Sequence, residues 1–186
     1  LDLINWFTDS LPDRVAAFGG NSVFVPQHAG LYEHHPHEFN QWEELLPGNP
    51  FLTDKSIEDN VVAIMEYAGG VRAQFMATMS NAIPERRIYI SGTRGTLAVE
   101  LYSGTLVRRT LGESVEPIVE RYEGRGHGDG DEVIGRSLAE SILQGKAPLC
   151  GGREGLLSGV VALAVDEARR TGAVVDLRER WHGGTL

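Results

Sequence analysis

The sequence of residues 84–101, PERRIYISGTRGTLAVEL, has the pattern of a β-hairpin. Residues 87–90 carry the β-branched and aromatic side chains that favour a strand. Residues 92–95 have a glycine at each end, and glycine reaches the positive φ angles that a tight turn needs. Residues 96–101 then alternate between apolar and more polar side chains, as in a strand with one buried face. The apolar set is Leu97, Val99 and Leu101.

Further strands are predicted on both sides of this hairpin. Residues 61–67 are apolar on both faces, which is typical of a strand in the centre of a sheet. Residues 71–79 alternate, and residues 68–70 between the two segments predict a hairpin turn. A strand at 115–122 contains Pro117, which favours the edge of a sheet because proline cannot donate a backbone hydrogen bond. Shorter strands are predicted at 14–18, 105–109 and 174–177.

Three segments predict helices, at 1–7, 131–143 and 153–171. The apolar stripe of the second consists of Ile134, Leu138 and Ile142. The stripe of the third consists of Leu156, Leu157, Val160, Val161, Ala164 and Ala168, and Gly172 follows as its stop signal. The predicted fold class is α+β, with an open, mostly antiparallel β-sheet and helices packed on one face. We expect the hairpin to lie against the two late helices.

The composition excludes several classes of protein. A chain of 186 residues suffices for one domain over residues 1–186. A net charge of −9 argues against a nucleic-acid partner, because phosphate binding needs clustered Lys and Arg. A single cysteine, Cys150, is typical of a cytoplasmic protein. No apolar run is long enough to predict a membrane span. Because the first residue is Leu rather than Met, we expect the chain to be part of a longer parent protein.

Residues 21–54 are the least regular part of the sequence, with four prolines and four of the six histidines. They predict a long loop with one helical turn at 39–45, and loops of this length are usually functional. The segment EHHPHE at 33–38, with His28 nearby, has residue types that bind metals. Adjacent histidines diverge, however, and Pro36 constrains the bend. A solvated histidine-rich loop is therefore preferred over a metal site.

The segment GHGDGDE at 126–132 lies between a predicted strand and a predicted helix. Its glycine spacing matches no phosphate-binding fingerprint, and its three carboxylates would repel phosphate. Asp129 and Glu132 resemble a helix capping box. Glycines also allow a ligand to approach the backbone closely, and His127 and Asp131 have groups that hydrogen-bond hydroxyls. A cap alone and a ligand-binding loop remain equal alternatives.

Four segments together resemble the C-terminal domain of the Gfo/Idh/MocA oxidoreductase family. They are IEDNVVAIMEYAGGVRAQF at 57–75, ERRIYISGTRGTL at 85–97, GHGDGD at 126–131 and DEARRTGAVVDL at 166–177. Their order and spacing carry the resemblance, which extends over most of the chain and is weakest at 21–49. The resemblance implies an α+β domain similar to the C-terminal domain of glyceraldehyde-3-phosphate dehydrogenase.

The resemblance also implies a function for the parent protein. In such a protein an N-terminal Rossmann domain binds NAD or NADP, and the C-terminal domain holds the substrate pocket. Typical substrates are sugars, inositols and other polyols, which exchange a hydride with the nicotinamide. The open sheet face implies a homo-oligomer, and we expect the partner subunit to cover the face of the hairpin at 87–101 that the helices leave free. Some relatives use the cofactor only transiently, so the net reaction of the parent stays open.

The resemblance places the catalytic residues outside this chain. The catalytic Lys and His of the family are expected upstream of Leu1, so the chain alone should neither bind NAD(P) nor turn over substrate. The residues expected to contact substrate are Asp2, Asn81, Glu85, Arg86, His127 and Asp131. An ordinary helix-surface acid is the alternative for Asp2, and a local ion pair is the alternative at Glu85 and Arg86.

Two other functions compete with a substrate-binding domain. One is a non-catalytic module that uses its sheet only for assembly with other copies. The other is a small metal-binding protein built on the histidines of residues 28–37.

Overall fold

The computed structural model describes residues 1–39, 48–113, 115–123, 130–148 and 150–182. The helices are α1 (Asp2–Thr8), α2 (Ala29–His34), α3 (Pro36–Phe39), α4 (Gly130–Gln144), α5 (Gly152–Thr171) and α6 (Arg178–His182). The strands are β1 (Pro12–Gly20), β2 (Asn60–Tyr67), β3 (Arg72–Thr78), β4 (Arg87–Gly92), β5 (Gly95–Glu100), β6 (Thr105–Thr110), β7 (Ile118–Arg121) and β8 (Val175–Asp176).

The strands form two four-stranded antiparallel sheets. The first has the order β3-β2-β1-β8 and the second the order β4-β5-β6-β7. The predicted α+β class is confirmed, and the strands divide between two sheets. β2 is central and β7 lies at an edge, both as predicted.

The chain divides into two compact units. The first unit is Leu1–Ser80 with Cys150–Leu186, and the second is Asn81–Leu149. The expectation of one domain over residues 1–186 stays a prediction.

The core of the first unit lies between α5 and the inner face of the first sheet. From α5 it takes Val161, Ala164, Val165 and Ala168, whose spacing of three and four residues places them on one stripe. From the strands and the segment after β8 it takes Val15, Ala17, Ala63, Met65, Tyr67, Val175 and Leu177. The sequence prediction began this stripe one turn too early, since Leu156 is exposed.

Two side chains attach the terminal helices to this core. The Tyr67 hydroxyl donates to Asn5 Oδ1 in α1 at 2.9 Å. In α6, a helix that the sequence analysis missed, the Trp181 indole N–H donates to the carbonyl oxygen of Pro12 at 2.8 Å. Polar tips of a buried tyrosine and a partly buried tryptophan therefore fix both helices against β1 and β2.

The described part of residues 21–54 contains short helices at 26–34 and 36–39, which corrects the prediction of a loop there. A 3-10 turn at Pro26–His28 leads into α2, and Pro36 begins α3. Proline is preorganised for the first helical position, so these prolines start helices. The predicted turn at 39–45 lies mostly outside the described residues. Phe51 is fully buried and stacks on Phe24 at 5.1 Å between ring centroids.

The second unit contains the predicted hairpin as β4 and β5. Gly95, at φ 157°, ends its turn, and a Cβ there would lie 2.1 Å from the carbonyl oxygen of Arg109 in β6. Only glycine fits this close approach. The stripe of α4 is exposed, although the sequence predicted a packed helix. We expected α5 against the hairpin, but α5 packs on the first sheet.

Candidate functional site

The predicted substrate contacts are divided between the two units. Asp2 is exposed in the first turn of α1, in the first unit. Asn81, Glu85 and Arg86 lie on the segment between β3 and β4, at the start of the second unit. Their role as substrate contacts stays a prediction.

The other two predicted contacts belong to the glycine-rich segment before α4. His127 lies outside the described residues. Asp131 is exposed in the first turn of α4, where a carboxylate interacts favourably with the helix dipole.

At the entrance of β4, the structure connects Glu85 and Arg86 to different partners. The Glu85 carboxylate forms an ion pair with Arg87 at 2.9 Å. The Arg86 guanidinium lies 5.8 Å from the ring centroid of Tyr102, within the range of a cation–π contact. The ion pair is thus local to the strand start, and Arg86 is placed beside an aromatic ring.

Glu100 ties the two sides of this entrance together. Its carboxylate accepts backbone N–H bonds from Arg86 at 3.4 Å, Tyr102 at 3.2 Å and Ser103 at 2.5 Å. The side chain and backbone of Ser103, followed by the other two N–H groups, lower the pKa of Glu100 to about 2 although partial burial opposes this. Glu100 therefore stays ionised at neutral pH and holds the turn after β5 next to Arg86.

This role of Glu100 was not predicted, because in the sequence the residue is one polar position in an alternating strand. The signal is present, since an acid ends the strand and the turn sequence Tyr-Ser-Gly follows. A carboxylate beside a turn often accepts the N–H groups that the turn leaves unpaired.

Asp59 is the buried carboxylate of the first unit, with 4% of its surface exposed. Its Oδ2 accepts the backbone N–H groups of Ser22, Val23 and Phe24 at 3.0, 2.8 and 2.9 Å. Burial raises its pKa, but the three N–H donors and the Asn60 amide outweigh burial, so the pKa lies below 3.8. The carboxylate fixes the segment after β1 against the start of β2.

The neighbouring acid, Glu58, also has a partner in a distant segment. Glu58 forms an ion pair with Arg169 of α5, and Arg169 also contacts Asp166. Both acids therefore link distant segments of the first unit.

The outer face of the first sheet is apolar and exposed. Phe18, Ile64 and Met76 are 76%, 59% and 60% exposed, and they come from three adjacent strands. Phe18, Val62 and Met76 lie level across the sheet. The signal in the sequence was the apolar character of both faces of β2. Contiguous exposed apolar surface of this kind marks an interaction site.

The histidine-rich segment makes local contacts. His28 Nδ1 lies 2.9 Å from the carbonyl oxygen of Val23, and His35 lies 3.8 Å from the Glu38 carboxylate. Among the residues that the structure describes, no three His, Cys, Asp or Glu side chains are placed to hold a metal ion. No helix in these described ranges is long and apolar enough to cross a membrane.

The family of the chain follows from its sequence. The family model described as the GFO/IDH/MocA C-terminal domain matches residues 1–98, just over half of the 186 residues. The chain belongs to the GFO/IDH/MocA family. The match includes four of the predicted contacts, Asp2, Asn81, Glu85 and Arg86, and ends before His127 and Asp131.

Solved structures resemble this GFO/IDH/MocA domain over most of its length. An aldose-aldose oxidoreductase from Caulobacter crescentus, complexed with glycerol, is 19% identical with a TM-score of 0.66, over 95% of this chain and 44% of that chain. A levoglucosan dehydrogenase, in complex with NADH and levoglucosan, is 13% identical with a TM-score of 0.67, over 89% and 45%. A super-repressor mutant of Gal80p from Saccharomyces cerevisiae is 14% identical with a TM-score of 0.63, over 95% and 47%.

At these identities the likeness shows the fold alone. The GFO/IDH/MocA domain spans less than half the length of each of these structures. No curated protein sequence matches it.

Proposed function

We propose that the chain is the substrate-binding and oligomerising C-terminal domain of an NAD(P)-dependent oxidoreductase that acts on a sugar, inositol or related polyol. The family match over residues 1–98 is the observation that carries this proposal. Two of the similar structures support the substrate class, since their names specify an aldose and levoglucosan. The presence of NADH in the levoglucosan dehydrogenase supports the cofactor.

In this proposal the parent is a cytoplasmic enzyme, and another domain binds NAD or NADP and supplies the catalytic Lys and His. The chain described here contributes binding groups. Arg86 is the strongest candidate, because the Glu100 network and the Tyr102 ring position it at the start of β4. A guanidinium donates several hydrogen bonds to hydroxyl oxygens, and an adjacent aromatic ring suits the apolar face of a sugar.

The remaining contacts are proposed on the chemistry of their side chains. Asn81, Asp2 and Asp131 are exposed, and carboxylates and amides hydrogen-bond hydroxyl groups well. Glu85 takes part through the ion pair that orients Arg87. His127 completes the proposed set as a donor or acceptor.

We further propose that the chain forms a homo-oligomer through the outer face of the first sheet. Burying Phe18, Ile64 and Met76 against a second copy removes exposed apolar side chains from water, at about 25 cal/mol for each Å². From the sequence we expected the partner on the free face of the hairpin at 87–101. The apolar outer face of the first sheet favours that sheet instead.

Titration calorimetry of the chain with a panel of aldoses, anhydrosugars and inositols tests the proposed binding function. We expect saturable binding of one class, and at least about tenfold weaker binding for Arg86→Ala, because the site loses a charge-assisted donor. Arg136→Ala is the matched control, since Arg136 forms an exposed ion pair with Glu132 on α4. Binding of none of these compounds would contradict the proposal.

A separate experiment tests the proposal that cofactor binding and catalysis belong to another domain. NADH fluorescence and a dehydrogenase assay should show neither cofactor binding nor turnover by the chain alone. Micromolar cofactor binding or measurable hydride transfer would contradict this part of the proposal.

A non-catalytic assembly module is the second candidate function. The similarity to the Gal80p structure favours this candidate, because the name of that structure specifies a super-repressor mutant and no enzyme. Oligomer formation without binding of any sugar or polyol would support this candidate over the first.

A further inference from the structure

A row of four charges crosses the outer face of the first sheet. The strand register places Arg72 of β3, Glu66 of β2, Arg14 of β1 and Asp176 of β8 at one level. Their signs alternate as positive, negative, positive, negative. Arg14 Nε donates to Glu66 Oε2 at 2.8 Å, and Arg178 flanks the row through its ion pair with Asp176.

The row lies on the same face as the exposed apolar patch. Val15, Met65 and Val175 point into the core, so the adjacent residues Arg14, Glu66 and Asp176 point outward. Along β1 and β2, the next pair of outward-facing residues is Ala16 and Ile64, and the pair after that is Phe18 and Val62.

An alternating row of four charges is complementary to its own reverse. When two copies stack face to face about a two-fold axis parallel to the strands, each row meets the reversed row of the other copy. With the axis between β1 and β2, Arg14 opposes Glu66 of the partner subunit, and Arg72 opposes Asp176 of the partner subunit. The same operation repeats each contact by symmetry.

We propose that this charged row sets the orientation in which a second copy docks on the first sheet. The inference rests on the proposed association through the sheet face and adds its geometry, a two-fold axis parallel to the strands between β1 and β2. Stacked sheets keep their strand directions within about 30°, which this axis satisfies.

The apolar residue pairs of the outer face fit the same two-fold axis. Phe18 then lies opposite Val62 of the partner subunit, and Ile64 lies opposite Ala16 of the partner subunit. Each contact sets a larger side chain against a smaller one, as interdigitating faces require.

Other axes match the surface less well. An axis centred on β1 opposes Arg14 to Arg14 of the partner subunit, and Asp176 to Glu66 of the partner subunit, which repel. A third choice is an axis that runs parallel to the sheets but perpendicular to the strands. It places the charged row of the partner subunit opposite the other end of the apolar patch. The level there consists of Gly20, Asn60 and Thr78, which carry no charge.

Two charge reversals test the orientation on the 186-residue chain by sedimentation velocity. Arg14→Glu alone and Glu66→Arg alone each create two like-charge contacts across the axis, so each should raise the dimer dissociation constant at least about tenfold. An equimolar mixture of the two variants opposes unlike charges at all four positions. The mixture should therefore form heterodimers over the concentration range in which the wild type dimerises.

The mixture separates contacts between subunits from contacts within one chain. The internal Arg14–Glu66 ion pair is lost in both variants and in their mixture, so only a contact between copies can restore association. The double variant Arg14→Glu/Glu66→Arg should dimerise like the wild type, which also shows that both reversals are compatible with folding. Arg136→Glu and Glu132→Arg form the matched control and should change nothing, alone or mixed.

The possible failures are distinguishable. A wild type that stays monomeric at all concentrations overturns both the sheet-face association and this inference. A dimeric wild type whose variants do not regain association on mixing overturns the orientation alone and leaves the association in place.

Discussion

The two units of this domain have strands of similar sequence character but different burial. In the first unit, α5 covers the inner face of the sheet, and residues such as Val15, Met65 and Leu177 are fully buried. In the second unit, β4 to β7 form an equally regular antiparallel sheet. None of the described residues from 81 to 148 is buried. Alternation in the sequence therefore predicts a strand without predicting what its apolar face contacts.

Carboxylates show the same contrast. Asp59 in the first unit and Glu100 in the second each accept three backbone N–H groups. Asp59 is buried, whereas Glu100 is partly exposed. Equal numbers of accepted N–H groups should therefore have unequal energetic consequences, because water replaces the lost partner only where it has access.

The largest expected effect on stability is the loss of a buried leucine, compared with the loss of an exposed one. Leu177→Ala removes a fully buried side chain from the first unit and should lower the free energy of unfolding by about 2–5 kcal/mol, because a cavity remains. Leu138→Ala removes an exposed side chain from α4 and should change it by less than about 0.5 kcal/mol. Urea unfolding followed by circular dichroism measures both. Similar losses for the two variants would break the comparison between the units.

Asp59→Ala should have the next largest effect. The N–H groups of Ser22, Val23 and Phe24 lose their acceptor, which should cost about 1–3 kcal/mol of stability. Hydrogen exchange at these three amides should accelerate. Asp54→Ala, an exposed acid of the same segment, is the control.

The acid dependence of this effect has a defined sign. Because the pKa of Asp59 is lower in the folded chain than its ordinary 3.8, its contribution is present above pH 3.8 and is lost as pH falls through the lowered value. The stability difference between wild type and Asp59→Ala should therefore shrink in strong acid. A difference that grows with acidification would contradict this assignment.

Tyr67→Phe should lower stability by about 1 kcal/mol, because Asn5 loses the hydroxyl donor that joins β2 to α1. Burial raises the pKa of Tyr67 to about 12. The contribution of the hydroxyl is thus fully present below pH 10 and is lost as pH rises from 10 through about 12. Ultraviolet titration of the wild type should show a phenol that ionises near pH 12 and is missing in the variant. Tyr89→Phe, at an exposed tyrosine of β4, should leave this late phase intact.

Glu100→Gln should have the smallest effect on global stability, because solvent reaches the N–H groups that it leaves. Its consequence is local and should appear as faster exchange of the Tyr102 and Ser103 amides. Since the pKa of Glu100 is lowered to about 2, its contribution persists above pH 4.5 and is lost as pH falls from 4.5 through about 2. A loss of stability as large as that of Asp59→Ala would show that burial does not separate the two sites.

The sequence predicted most elements of the fold and fewer of their contacts. The hairpin β4–β5, the central strand β2, the edge strand β7 and α5 with its glycine stop at Gly172 are all found. The helices between Pro26 and Phe39 were missed, because prolines were interpreted as loop signals although they also begin helices. Helix α6 was missed because its five residues are too few to show a period.

For a related reason, the sequence indicated some of the residues discussed at the candidate site and not others. Glu85 and Arg86 were proposed as contacts because they stand at a strand entrance within a family-like motif, and this role stays a prediction. Glu100 and Asp59 were missed because their partners are backbone N–H groups, which leave no mark in the sequence. Asp59 also lies more than thirty residues from the segment it holds.

The sequence alone determined the strands and main helices, the α+β class and the resemblance to the GFO/IDH/MocA family. These depend on periodicity and local turn chemistry, which neighbouring residues encode. Only the tertiary structure decided that α5 packs on the first sheet, that Asp59 is buried and that four charges from four strands form one row. Strand pairing sets these contacts between residues far apart in the chain, and the pattern of any one segment does not specify its partner.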